Sequence, residues 1–309
     1  MILNKNYANG KLLITGEYLI LEGAYSLAIP CSKGQHIEYN ADQKSKVIDW
    51  KSFDFKQKLW FSVKYESDSL NIIETNDKTK AIGLQRILIE AYKLSKTVKL
   101  NGQISTFLDF PNNWGLGSSS TLTVCISKIF KIDPLELHFK TSNGSGYDVA
   151  CGHFNKPITY LINNKKPIVK EIDFELPFSE NIFFIHLNKK QKSENEIVRF
   201  KKQTKNKSIN INSISDITSE MIDCQNINLF NDLIDEHENI ISYYIDKKPI
   251  KTELFPDFNG SIKSLGAWGG DFVMASSLDD SFEYFKAKGF NTIIPFHKMI
   301  KDQSSYVDN

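Results

Sequence analysis

From residue 11 to 30 the chain reads KLLITGEYLILEGAYSLAIP, two apolar, β-prone runs punctuated by Gly16 and Gly23. This pattern predicts a strand, a turn and a second strand at the start of a sheet. Residues 31–75 continue in short runs rich in aromatic and β-branched residues, among them IEY, VIDW and LWFSVKY, which predict further antiparallel strands. Over 78–95, Ile82, Ile89 and Tyr92 recur at helical spacing beside Gln85 and Arg86, which predicts an amphipathic helix with that apolar stripe. The run ISTFLDF at 104–110 is the next strand. It enters PNNWGLGSSSTLTVCISKIF, where glycines and serines give way to Leu122, Cys125, Ile126 and Ile129, the pattern of a loop followed by a buried helix over 121–130. DPLELHFK then reads as a turn.

A boundary is expected near 155–180, where Pro157, the NNKKP stretch and Pro177 mark surface connections around a short strand, ITYLI. IFFIHL at 182–187 is a strand, 188–212 is Lys-, Asn- and Ser-rich and fits either a polar helix with a loop or a mobile insertion, and 214–245 reads as helix. SIKSLGAWGGDFVMASS turns from a glycine loop into an apolar strand, and a helix at 279–288 and the strand NTIIPF follow. Helices mixed with antiparallel strands give an α+β class, with no internal repeat.

At 309 residues the chain is long for one hydrophobic core, so two domains with a cleft between them are expected, 1–165 and 166–309. With 41% hydrophobic and 24% charged residues it fits neither a disordered nor a membrane protein, and no run approaches the roughly 20 apolar residues that span a bilayer. The opening MILNKNYANGKLL lacks the apolar core of a signal peptide. Lys and Arg total 38 against 37 Asp and Glu, so nothing attracts nucleic acid or an anionic membrane globally, and phosphate binding has to be local. Only Arg86 and Arg199 are arginines, so phosphate would be met by lysine point charges rather than bidentate forks. Cys31, Cys125, Cys151 and Cys224 form no C-x-x-C pair, which argues against structural zinc and a disulfide framework. The expectation is a cytoplasmic protein with reduced thiols and no nucleic-acid or membrane partner.

The sharpest chemical signal is PNNWGLGSSS, 111–120, between a strand and a helix. Glycines let the backbone approach a ligand, and the amides and dipole at a helix N-terminus favour an anion such as phosphate. The serine hydroxyls add donors and an oxygen ligand for Mg2+. The plainer alternative is that Ser118 or Ser119 merely caps the helix. Neither a Walker loop nor a dinucleotide-binding glycine fingerprint is present.

PNNWGLGSS resembles the ATP-phosphate loop of the GHMP kinases, the family of galacto-, homoserine, mevalonate and phosphomevalonate kinases. ANGKLLITGEYLILEGAYSLA, 8–28, resembles that family's first motif, with Asn9 in place of proline and Tyr18 in place of histidine, as in many phosphomevalonate kinases. KSLGAWGGDFVMA, 263–275, resembles the third motif, with Trp268 where the family has glycine. NGSGYDVACG, 143–152, is similar to the segment that carries the catalytic aspartate, and its GYD wording resembles the GYDIA-type subgroup. The four resemblances fall in the family's order.

The resemblance implies a two-domain GHMP kinase fold, with an N-terminal β-α-β domain of left-handed crossover and a ferredoxin-like C-terminal domain, and an active site between them. It further implies ATP- and Mg2+-dependent phosphorylation of a small molecule, phosphomevalonate or mevalonate, by a monomer or homodimer. Pro111, Gly115, Leu116, Gly117, Ser118, Ser119 and Ser120 would cradle ATP. Asp148 would orient the acceptor hydroxyl, and Lys11 would hold Asp148 ionised and draw on the transferred phosphate. Glu17, Tyr18, Gly266, Gly269 and Gly270 would line the substrate. Ser119 would contact Mg2+, and Glu136 stands in for a metal-binding glutamate that does not align cleanly. Read without the resemblance, Asp148 is an ordinary turn or capping residue and Lys11 a solvated lysine. Asn9, Trp268 and the short interval between Ser119 and Asp148 also leave a second function open, a non-catalytic GHMP-fold protein that binds nucleotide or a partner.

Overall fold

The structure is a computed structural model that describes residues 3–189, 193–205, 207–266, 268–279 and 281–302. The chain separates into two compact units, each discontinuous in sequence. The first comprises Met1–Gly10, Lys33–Asn112 and Leu116–Asn155, the second Lys11–Ser32, Asn113–Gly115 and Lys156–Asn309.

Twelve strands and ten α-helices are described. The first half runs β1 (Leu3–Leu13), β2 (Ser26–Ala41), β3 (Val47–Phe53), β4 (Leu59–Glu66), β5 (Ile72–Thr75), α1 (Lys78–Ser95), β6 (Gly102–Leu108), α2 (Ser118–Phe130), α3 (Pro134–Thr141) and α4 (Tyr147–Phe154). The first unit orders β5-β4-β3-β6-β2, with β2 joined to β6 antiparallel over residues 35–41. β3 and β6 pair in parallel from Ile48 opposite Gly102 to Phe53 opposite Phe107. A parallel pair needs a crossover, and α1 lies in that connection, forming a β-α-β unit.

Helix α1 has the expected span, capped by Asp77, whose side chain accepts the Lys80 N–H. Its buried stripe is Ala81, Leu84, Leu88 and Ala91, and Ile82 is exposed, because the core face is one position removed from the stripe expected on Ile82, Ile89 and Tyr92. That face joins Trp50, Ile104, Val124, Phe130 and Leu137 in one core. DPLELHFK is helix rather than turn: Asp133 accepts the amides of Leu135 and Glu136, and Pro134 starts α3 with its φ preset. YLILEG forms a 3-10 turn, Leu19–Glu22, closed by Gly23 at φ 94°, where a turn between two strands was expected.

The second half continues with β7 (Ile158–Asn163), β8 (Lys166–Glu171), β9 (Ile182–His186), α5 (Ser193–Thr204), α6 (Asn212–Ile222), α7 (Ile227–Ile245), α8 (Ile250–Leu254), β10 (Ser261–Ser264), β11 (Phe272–Ser276), α9 (Ser281–Ala287), β12 (Ile293–Pro295) and α10 (Phe296–Met299). The polar stretch after β9 holds helix α5. The helix expected over 214–245 is two helices, because Asn226 accepts the amides of Asn228 and Leu229 and starts α7 afresh. In the second unit β10-β11-β9-β12 form an antiparallel sheet, with α6 and α7 between β9 and β10 and α9 between β11 and β12. That order is the split βαβ arrangement of ferredoxin-like domains, so the C-terminal fold is as expected. No described helix is long and apolar enough to cross a membrane.

Candidate functional site

The helix after the glycines begins at Ser118, with Gly117 at the N-cap at φ 89° and no side chain capping it. The reading of Ser118 or Ser119 as a mere cap therefore does not hold. Three serines occupy the first turn of a 13-residue helix whose opening amides have no intrahelical acceptor. Ser120 is buried and turns its hydroxyl back onto the Gly117 carbonyl, whereas Ser119 is exposed. Leu116 is fully buried, and its carbonyl lies where any side chain on Gly10 would have to go, 2.8 Å from an ideal Cβ. The glycine of the ANGK segment is thus required by close approach of the backbone of the glycine and serine loop.

Also in the first unit, α2 and α4 pack on each other. Helix α4 starts behind Gly146 at φ 83°, so Asp148 sits inside the first turn rather than at the cap. It is half-buried, and its Oδ1 accepts the Val149 N–H at 3.0 Å. Glu136 is exposed in the first turn of α3.

Residues 113–115 of the same loop belong to the second unit, where four groups hold them. Lys11, 8% exposed, donates from Nζ to the Gly115 carbonyl at 3.2 Å, so it is not a solvated lysine. The Asp271 carboxylate abuts Gly115 so closely that a Cβ there would collide with Oδ2, and φ at Gly115 is 65°. Glycine is demanded twice at that position, by backbone and by space. His186 lies with Nε2 3.1 Å from the Asn113 carbonyl, and Trp114 packs edge-on against Phe272 at 5.3 Å. A small cavity is lined by residues 11–13, 114–115, 265–266 and 271–272. A Cβ on Gly266 would meet nothing within 4 Å, so this residue faces open space, whereas Gly269 approaches Ile250 and Gly270 is buried.

The same unit holds a buried charged cluster. Lys263 Nζ is 2.7 Å from Glu17 Oε1 and 3.6 Å from Glu238 Oε1, and it donates to the Ser264 carbonyl at 3.0 Å. His237 Nε2 accepts the Gly16 N–H at 3.1 Å and lies 3.2 Å from Glu17 Oε2. None of the four side chains exceeds 2% exposure. Burial alone would raise the Glu17 carboxyl, but the Lys263 ammonium, with His237 beside it, holds its pKa below the ordinary 4.5. A carboxyl whose folded pKa is depressed stabilises the fold above its unfolded pKa and loses that contribution as pH falls through the folded value. Glu17→Gln is therefore expected to flatten the acid-unfolding curve below about pH 4.5, as followed by circular dichroism; an unchanged curve would count against the ion pair.

Tyr18 adopts φ 63°, and its hydroxyl accepts the Trp268 N–H at 3.0 Å. Burial pushes its phenol well above the ordinary value. Trp268 is itself buried, and its indole N–H donates to the Lys248 carbonyl at 3.2 Å. Asp271, His186, His237 and Lys263 were not among the site residues expected from sequence. The GGD and KSLG wording of the third motif carried a signal for Asp271 and Lys263; the two histidines lie outside every motif.

All four cysteines are free and buried. Burial raises the Cys31 thiol to about 12, partly offset by Lys11. Among the described residues no group of three or more His, Cys, Asp or Glu side chains gathers to hold a metal.

Neither the protein-family models nor the curated proteins contain a match to this chain. Solved structures do match across nearly its whole length. The Lin0012 protein of Listeria innocua is similar at 15% identity with a TM-score of 0.72, over 96% of this chain and 97% of that one. The Methanococcus jannaschii mevalonate kinase is similar at 14% identity with a TM-score of 0.65, over 93% and 94%. The Streptococcus pneumoniae phosphomevalonate kinase is similar at 14% identity with a TM-score of 0.60, over 95% and 99%. The chain thus has the two-domain α+β fold of the mevalonate and phosphomevalonate kinases, the fold that its GHMP-like motifs imply.

Proposed function

We propose that this protein is an ATP- and Mg2+-dependent kinase that phosphorylates a hydroxyl of a small molecule, phosphomevalonate or mevalonate. The observation that carries the reading is the opening of α2: a left-handed glycine at the N-cap, no capping side chain and serines in the first turn. Those features suit a polyanion, and a phosphate chain is the polyanion that a glycine and serine loop of this kind accommodates. The kinase structures sharing the fold support the same class of reaction.

In the transfer, the acceptor oxygen bonds to the γ-phosphorus as the bond to the bridging oxygen of ADP breaks, and the hydroxyl proton leaves to Asp148 or to solvent. Such a reaction asks the protein mainly for alignment and for neutralisation of phosphate charge. Lys11, fixed on the Gly115 carbonyl, supplies positive charge for the transferred group, and Asp148 orients the hydroxyl. Mg2+ takes few protein ligands when phosphates supply the rest, and it would offset charge on the phosphates. The exposed Ser119 hydroxyl is an oxygen donor of the required kind, with Glu136 as the candidate carboxylate.

Tyr18 of GEY and Asp271 of GGD favour phosphomevalonate; the near absence of arginine favours the unphosphorylated acceptor. A coupled ADP-release assay across mevalonate, phosphomevalonate, homoserine and simple sugars is expected to show Mg2+-dependent turnover with one of the first two. No turnover on any acceptor, with ATP still bound, would replace this reading with that of a nucleotide-binding protein.

A further inference from the structure

Residues 11–13 and 265–266 are two walls of one small cavity in the second unit. Just behind them the chain is tied twice. Glu17, four residues past the first wall, is paired with Lys263, two residues before the second. Tyr18 accepts the backbone N–H of Trp268, two residues beyond the second wall. The Glu17 tie is buried, and His237 anchors the turn beside it by accepting the Gly16 N–H at Nε2. A buried ion pair is weak evidence of stabilisation, since an apolar pair of similar volume often does as well, but here it joins two separate elements at one buried point.

We propose that Lys263, through Glu17, and His237, through the Gly16 N–H, are positioning residues: they hold the turn at 16–18 and so set the separation of the two cavity walls, one of which carries Lys11. This inference rests on the kinase reading for its catalytic consequence but not for its structural one. Glu17 thereby shapes the site without touching the acceptor. Two features make the cluster a tie rather than generic packing. Glu17 Oε1 is held by Lys263 on β10 while His237 on α7 holds the adjoining Gly16 N–H, so the turn is anchored to two elements. Glu17 also sits in a turn closed by the Ile20 N–H on the Gly16 carbonyl, so its pull on Lys263 is transmitted to that turn.

The test uses the full chain and two variants. Glu17→Ala removes the tie yet leaves Lys263 facing Glu238, so no buried charge is stranded; Glu17→Gln keeps the tie through neutral hydrogen bonds. Hydrogen exchange without ligand is expected to speed up at 11–18 and 262–266 in Glu17→Ala, and to lie between it and the wild type in Glu17→Gln. With substrates, kcat is expected to fall about 100-fold in Glu17→Ala, the scale for a displacement near 1 Å. The Gln variant should recover much of that loss, with KM for the acceptor unchanged in both. Unchanged exchange would overturn the proposal, as would a raised acceptor KM at wild-type kcat, which marks direct substrate contact. If the wild type turns over no acceptor, the kinase reading falls while the exchange result still decides the tie.

Discussion

For the proposed kinase reaction, Lys11→Met and Asp148→Asn are each expected to lower turnover by about 100- to 10,000-fold while the protein stays folded, the range seen when a charge aimed at the transition state or a proton-handling group is removed. Lys11 is 8% exposed, and its ammonium is already fixed on the Gly115 carbonyl. Methionine fills the volume of the lysine stem but would bring no charge to the phosphoryl group in the proposed transfer. Asparagine keeps the shape and hydrogen-bonding reach of Asp148, half-buried in the first turn of α4, but cannot accept a proton. Steady-state ADP release gives the rates and circular dichroism the fold. Wild-type rates in either variant would refute that residue's role. Loss in both, with nucleotide still bound, separates chemistry from binding.

Lys263→Met should produce the largest loss of stability. Lys263 is fully buried and is the cation facing two buried carboxylates, Glu17 at 2.7 Å and Glu238 at 3.6 Å. Among the described residues neither Glu238 oxygen has a hydrogen-bond partner, so it depends on that charge all the more. Removing one partner of a buried ion pair strands the other charge at a cost of about 3–5 kcal/mol. For a unit of this size the corresponding fall in melting temperature is about 10 °C. Differential scanning calorimetry would show it, and a fall of only a degree or two would mean that water reaches the cluster.

Much of this molecule was legible in its linear order. Helical spacing of apolar residues marked the span of α1, and glycine and serine punctuation before a helical apolar repeat marked the strand-to-helix passage at 111–120. The misreadings came where two local preferences compete. DPLELHFK looks like a turn until Asp133 and Pro134 are recognised as a cap and a first helical residue. In α1 the choice of stripe went to the bulky Ile82, although the face meeting the sheet is built from Ala81, Leu84, Leu88 and Ala91. Side-chain size says little about which face turns inward when both faces carry apolar residues.

The amino-acid order by itself determined the α+β class, the glycine and serine loop at the mouth of a helix, and the motif resemblances that pick out Lys11, Asp148 and Ser118–Ser120, because these depend on neighbours a few positions apart. Only the tertiary structure decided that Lys11–Ser32 and Asn113–Gly115 group with the C-terminal half, that Asp271 presses on Gly115, and that Glu17 spends its charge on Lys263, 246 positions away. Pairings of that kind arise when strands and helices bury their apolar faces and carry charged side chains inward with them. A carboxylate enclosed in this way must find whichever cation the packing brings to it, and no local pattern around Glu17 specifies which one that will be.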